Sequence, residues 1–286
     1  MDEKFARLSG FMFAVLLFCQ AAGSMDLKLN DKLALVTGST AGIGYACARG
    51  LLREGARVIV NGRTQPAVDA AIAQLKTETG RTALGFAGDM STAGAANKLF
   101  AAYPNVEILV NNVGSFQAKP FLETTDADWE SLFQLNVMSG VRLSRLYLPG
   151  MKSRNWGRVI FISSESGLQI PVESIHYGMT KSAEISIARG LAELMAGTNV
   201  TVNSVLPGPT KSRALNTFVD RAVAQGANRE ELEKKFFTDF RPTSLIKRFA
   251  EPDEVASLVV YVASPLSSAT TGAALRVDGG VVKSAF

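Results

Sequence analysis

Histidine occurs once in these 286 residues, cysteine twice and tryptophan twice. One histidine without a cysteine pair cannot supply the clustered nitrogen and sulfur ligands of a zinc centre, so no metal is expected. Dense Lys/Arg runs and interleaved aromatics are also missing. The formal charge of +4 is scattered along the chain, and nucleic acid is not implied. An anionic ligand is compatible with that balance. Long apolar runs are absent too. The run over residues 11–19 is too short for a confident membrane span, so no stable membrane association is expected.

Residues 1–24 differ from the rest of the chain. Lys4 and Arg7 precede that apolar run, and Ala21-Ala22-Gly23-Ser24 come after it, which is the layout of a secretory signal. The competing reading is an over-extended start upstream of a domain that opens at Met25. The second is favoured, because Met25-Asp26-Leu27-Lys28-Leu29 leads directly into the first apolar run and is a natural beginning for the domain that follows. It implies a cytoplasmic protein with Cys47 as its one cysteine, and hence no internal disulfide.

What is present is a regular alternation. Short β-branched apolar runs at 33–36, 57–60, 83–86, 108–110, 159–162, 200–205 and 274–277 read as strands. Helical patterns lie between them, notably at 43–53, 67–78, 126–148, 182–195 and 252–263. Apolar strands alternating with helices predict an α/β fold, a doubly wound parallel sheet of the Rossmann kind, as a single domain over residues 25–286. Residues 210–248 break the rhythm. They are long, polar and basic, with Phe218, Phe236, Phe237 and Phe240 set into them, and predict a helical substrate lid.

Tyr177-Gly178-Met179-Thr180-Lys181 places a phenol and an ammonium four residues apart, on one face of a helix. A nearby fixed cation favours the phenolate, so the pair is a candidate acid/base device with a lowered tyrosine pKa. Near the first strand, Gly38-Ser39-Thr40-Ala41-Gly42-Ile43-Gly44 opens the first helix. A glycine-rich turn between strand and helix lets a pyrophosphate approach the backbone and the helix N-terminus. A turn kept only for packing would carry the same glycines. The second strand ends Asn61-Gly62-Arg63-Thr64, without the carboxylate that would accept an adenosine ribose hydroxyl. Arg63 and Thr64 suit a 2′-phosphate, so NADP(H) is expected over NAD(H). His176, next to Tyr177, is expected to face away from the site, because adjacent helix positions do not share a face.

With these motifs the chain resembles the short-chain dehydrogenase/reductase (SDR) family over nearly all of residues 31–280, and is similar to bacterial 3-oxoacyl-acyl carrier protein reductases. The resemblance assigns further residues. Asp89 and Met90 would contact the adenine, and Asn112-Val113-Gly114 matches the family's N-A-G apart from the valine. Pro207, Gly208 and Thr210 would hold the nicotinamide carboxamide, and Ser212 stands where many members have threonine. Ser164 lies 13 residues before Tyr177 and Asn136 lies 28 before Ser164, as in the family. The resemblance thus implies a catalytic set of Asn136, Ser164, Tyr177 and Lys181. Tyr177 would be the general acid, and Ser164 would bind the carbonyl oxygen. Lys181 would tune Tyr177 and bind the ribose, and Asn136 would hold a water behind the lysine. It also implies a homotetramer paired through the long helices.

The expected activity is NADP(H)-dependent hydride transfer between the nicotinamide and a carbonyl or secondary alcohol. An idle NADP(H)-binding sensor or scaffold on the same fold is the alternative. For substrate, a 3-oxoacyl thioester is one candidate, with Lys152, Arg154 and Arg158 facing an acidic carrier protein. The extended lid favours instead a sugar, steroid, quinone or xenobiotic carbonyl.

Overall fold

The computed structural model describes residues 25–285, so the reading of residues 1–24 lies outside the described residues, as does the side chain of Phe218. In chain order the main elements are β1 (Leu33–Val36), α1 (Gly42–Arg53), β2 (Arg57–Gly62), α2 (Gln65–Thr79), β3 (Leu84–Ala87), α3 (Ala93–Ala102) and β4 (Ile108–Asn111). Then come α4 (Asp126–Phe133), α5 (Ser139–Ser153), β5 (Gly157–Ile162), α6 (Ile175–Leu194) and β6 (Val200–Pro207). The chain ends with α7 (Arg213–Ala224), α8 (Arg229–Asp239), α9 (Pro252–Ala263) and β7 (Ala274–Val277).

The seven strands form one sheet in the order β3-β2-β1-β4-β5-β6-β7, and every pairing is parallel. Alternate residues of a strand point to opposite faces, so both faces must be apolar. Ala34 and Val36 of β1 join Leu51, Leu52, Leu75 and Val259 on one face. Leu35 joins Leu99, Leu143, Tyr147 and Ala188 on the other. The expected doubly wound architecture is therefore present, as one domain. The strand order reverses between β1 and β4, which opens a crevice at the carboxyl ends of those strands.

Local signals explain the element ends. The Thr92 hydroxyl accepts the Ala95 N–H and starts α3, a helix that the strand-and-helix rhythm did not mark. Thr125 and Asp128 form a capping box at α4, and Gly80 closes α2 in the left-handed conformation at φ 72°. Two helices differ from expectation. The pattern over 126–148 is not one helix, because a π-turn over Gln134–Met138 separates α4 from α5. The helical pattern at 182–195 and the helical segment expected at Tyr177–Lys181 are one helix, which begins at Ile175.

Arg158 is the largest side chain wholly inside the fold, at 2% exposure. It donates to the carbonyls of Gly157, Asn199 and Ser264, and its guanidinium lies 4.9 Å from the Trp156 ring centroid. The expected carrier-facing role is overturned for Arg158, since a cation spent on three backbone acceptors inside the fold is not offered to a partner. Lys152 and Arg154 remain at the surface.

Candidate active site

Two adjoining cavities, ≈ 530 Å³ and ≈ 590 Å³, run along the carboxyl edge of the sheet and share Gly38, Asn112, Gly114 and Ser115. The first is lined by Thr40, Gly62, Arg63, Asp89, Met90 and Val113. Gly38 (φ 60°) and Gly42 (φ 58°) take the left-handed backbone that glycine favours, and a Cβ on Gly42 would meet nothing within 4 Å. A Cβ on Gly44 would lie 2.6 Å from the Gly38 carbonyl oxygen, so the turn closes only over a glycine. The α1 N-cap residue, Ala41, offers no side-chain cap, and the first turn holds no acidic residue. Free N–H groups at a helix N-terminus beside an open groove fit a pyrophosphate.

Two of the expected cofactor residues also bond within the fold, and a third lies off the groove. Ser39 is wholly buried, with its hydroxyl donating to Val36 O and accepting the Asn61 N–H. The Asn112 amide donates to the Thr37 and Gly38 carbonyls and so clamps the turn. Thr64 precedes α2 as its N-cap residue without a side-chain cap, and does not line the groove. Arg63 does line it, and among the described residues makes no ion pair.

Further along, Ile43, Pro207, Gly208, Thr210 and Ser212 line the larger cavity together with Ser164, Tyr177 and Lys181. Ser212 also caps α7 by accepting the Leu215 N–H. Ser164 follows the end of β5. The adjacent Ser163 hydroxyl donates to the Lys181 carbonyl at 2.8 Å and ties α6 to that strand. Gly178 permits the close approach, because a Cβ there would lie 3.1 Å from the Ser166 carbonyl oxygen. Tyr177 stacks edge-on against Phe116 with centroids 5.1 Å apart, and Lys181 Nζ lies 5.7 Å from the Tyr177 ring centroid.

The π-turn delivers Asn136, which is 2% exposed. Its amide donates to Ser115 O and Thr180 Oγ1, and its Oδ1 accepts the Ser115 N–H. A Cβ on Gly114 would lie 3.4 Å from Lys181 Nζ and 3.5 Å from Asn136 Oδ1, so both groups stand beside that glycine. All four expected catalytic residues therefore converge on one edge of the sheet. His176 is buried, with its ring 5.9 Å from the Trp129 centroid, and does not line the cavity. Among the described residues no group of His, Cys, Asp and Glu is placed to hold a metal.

Sequence reasoning missed the carboxylates. Glu184 lies one turn after Lys181 and takes its ammonium at 3.0 and 3.2 Å, while Ile162 O takes it at 2.9 Å. The i, i+3 spacing was the available signal. Burial pushes the Glu184 carboxyl up to about 7, against the pull of Lys181. Burial would lower the Lys181 ammonium, but Glu184 and Tyr177 raise it above its ordinary value. The expected lowering of Tyr177 is overturned in the same way. Burial raises the phenol, Lys181 and Ser164 pull it down, Glu165 and Glu184 push it up, and the net direction is upward. Lys181 acts in the expected sense but is offset by its own counter-ion. Glu165, beside Ser164, accepts the serine hydroxyl at 2.5 Å and is paired at 2.9 Å with Arg241 from the end of the lid.

The family described as short chain dehydrogenase matches residues 32–222. The chain is 48% identical over 265 residues to the uncharacterized oxidoreductase YvaG of Bacillus subtilis, covering 92% of this chain and 100% of that one. It is 32% identical to the 3-oxoacyl-[acyl-carrier-protein] reductase FabG of Aquifex aeolicus, over 90% of this chain and 100% of that protein. Among solved structures it is similar to L-sorbose reductase from Gluconobacter frateurii, complexed with NADPH and L-sorbose. The TM-score there is 0.85 at 29% identity, covering 91% of this chain and 100% of that one. The chain belongs to the short-chain dehydrogenase/reductase family, and is an oxidoreductase of that family.

Proposed function

We propose that this protein is an NADP(H)-dependent reductase of neutral carbonyl compounds, working in reverse on secondary alcohols. The observation that carries the reading is the joint placement of Ser164, Tyr177 and Lys181 at the end of a groove that fits a dinucleotide. When bound, the cofactor supplies the hydride. As hydride reaches the carbonyl carbon, negative charge grows on the oxygen, and Tyr177 gives it a proton. A phenol raised by burial is protonated throughout the neutral range, as a general acid requires. Ser164 sets the position of that oxygen. Lys181 holds positive charge beside the phenol and is placed to meet the ribose hydroxyls. Asn136, one glycine away from Lys181, marks the route by which a water would return protons. Arg63 is exposed on the groove, with no ion-pair partner among the described residues, and supports a preference for the 2′-phosphate. The NADPH bound to L-sorbose reductase points the same way.

The sugar candidate gains from that neighbour, and the carrier-linked thioester loses Arg158. The aromatic lid wall of Phe236, Phe240 and Phe249 suits an uncharged substrate. We also propose a homotetramer, supported by Leu194 at 60% exposure and Tyr261 at 41% on the outer faces of α6 and α9.

Tyr177→Phe tests the mechanism. It removes the proton and keeps the ring against Phe116. NADPH-dependent reduction of a carbonyl panel is expected to fall by about two to four orders of magnitude, with NADPH affinity unchanged. Near-normal turnover would assign the proton to another group.

A further inference from the structure

Glu165 has no role in the reaction proposed above, yet it lines the larger cavity at 4% exposure. Two bonds fix it. Its Oε1 accepts Arg241 Nε at 2.9 Å, and its Oε2 accepts the Ser164 hydroxyl at 2.5 Å. Arg241 is held in turn by Glu173 Oε1 at 3.0 Å and by the Phe240 carbonyl at 2.8 Å. A carboxylate has about four acceptor sites. These two bonds leave Oε2 able to take a second donor next to Ser164.

The arrangement around Ser164 Oγ decides what that donor is. A serine hydroxyl has one proton and two acceptor sites. As the residues stand, the proton goes to Glu165 and the Ser166 N–H fills one acceptor site at 3.1 Å. A substrate carbonyl oxygen accepts only, so on binding the hydroxyl turns its proton to that oxygen and leaves Oε2 in need of another donor. The reacting oxygen of a substrate would lie about 2.7 Å from Oγ. Oε2 is already 2.5 Å from the same Oγ. Oε2 and the reacting oxygen are then neighbours of one Oγ and no more than about 5 Å apart, a gap that an oxygen on the carbon next to the reacting carbon is able to bridge. That bridging oxygen must carry a proton, because Oε2 accepts only. A carboxylate at that place would be repelled, since Glu165 and Glu173 share the single cation Arg241.

We infer that Glu165 is a specificity-determining residue, which accepts a hydroxyl on the carbon adjacent to the reacting centre and so selects α-hydroxy ketones and vicinal diols. The inference rests on the reading of this cavity as a carbonyl and alcohol site, and names the substrate class within it. Arg241 is the positioning residue. It anchors the carboxylate from the lid, which couples the end of α8 to the serine.

The test uses matched probes whose phenyl ring suits the aromatic wall. α-Hydroxyacetophenone carries the hydroxyl, propiophenone replaces it with methyl, and phenylglyoxylate replaces the hydroxymethyl group with a carboxylate. The parent enzyme is expected to reduce the hydroxy ketone about ten- to a hundredfold better in kcat/KM than propiophenone, the usual weight of a hydrogen bond to a charged acceptor. Phenylglyoxylate should be the poorest of the three. Glu165→Leu should bring the two ketones within about threefold of each other. Arg241 keeps Glu173 in that variant, and unchanged NADPH affinity and thermal unfolding would show an intact fold. A binding arm does not depend on turnover. In Tyr177→Phe loaded with the oxidised cofactor, styrene glycol should bind about tenfold or more tightly than its analogue with the terminal hydroxyl replaced by methyl, and Glu165→Leu should erase the difference. Equal binding of the two alcohols, or a preference that survives Glu165→Leu, overturns the inference. Loss of all carbonyl reduction with the diol preference intact would sink the reductase reading and leave this assignment standing.

Discussion

Glu184→Gln separates two opposed electrostatic effects inside the site. Glu184 and Lys181 are 2% and 4% exposed, so solvent screens their attraction little. Burial nevertheless opposes the carboxylate more than Lys181 stabilises it, since the carboxyl is pushed up from 4.5 to about 7. That interval corresponds to about 3 kcal/mol favouring the neutral form in the folded chain. The folded-state value lies above the unfolded one, so the native protein binds this proton more tightly. Its contribution is fully present below about 4.5, shrinks as pH rises, and is gone above about 7. Glutamine copies the neutral carboxyl, and Lys181 keeps Ile162 O at 2.9 Å as an acceptor. At pH 8 the variant should therefore be the more stable of the two, because it no longer carries an ionised buried carboxylate there. At pH 5 the two should nearly coincide. Urea unfolding at both pH values measures this. The same substitution removes a charge that raises the Tyr177 phenol, so alcohol oxidation should reach half its maximum at a lower pH than in the parent. A variant less stable than the parent at pH 8 would refute the reasoning, because it would show that the attraction of the pair exceeds the cost of burying it.

Other outcomes rest on single contacts. Arg63→Ala should weaken NADPH by about tenfold or more while barely changing NADH, measured by fluorescence titration of each. Equal weakening would place the arginine away from the 2′-phosphate. Gly44→Ala forces a Cβ to 2.4 Å from Asn112 Nδ2 and 2.6 Å from Gly38 O, and should destabilise the fold by about 1–3 kcal/mol and weaken both cofactors together. A fully stable variant with normal affinity would mean that the turn relaxes freely. Light scattering at micromolar concentration should give the mass of four chains, and a monomer there would remove the tetramer.

The sheet was legible because its signals are local. Each buried parallel strand needs a short continuous apolar run, and each crossover needs an amphipathic helix, so the alternation from Leu33 to Val277 reads directly as a doubly wound fold. The α3 helix escaped because its Ala-rich stretch has little apolar contrast, and it is started by the single cap at Thr92. The π-turn escaped because it depends on closure around Asn136, whose amide reaches Ser115 and Thr180 across the fold, 21 and 44 residues away.

Residue identities and intervals pointed to the proposed catalytic set, since Tyr177 and Lys181 share a helix face whatever the rest of the chain does. Their electrostatics did not follow from identity. Lys181 was expected to lower the tyrosine, but proton affinity depends on burial and on every charge that the fold brings near. Only the packed structure puts Glu184 on the lysine, takes the phenol partly out of water and turns the net direction upward. The pairing of Glu165 with Arg241 is likewise tertiary, because 76 residues separate them in the chain. The sequence by itself determined which groups are able to move a proton and that Tyr177 and Lys181 share one helix face. The tertiary structure decided how strongly each holds its proton and which carboxylates pair with Lys181 and Arg241, because both depend on how the folded chain packs.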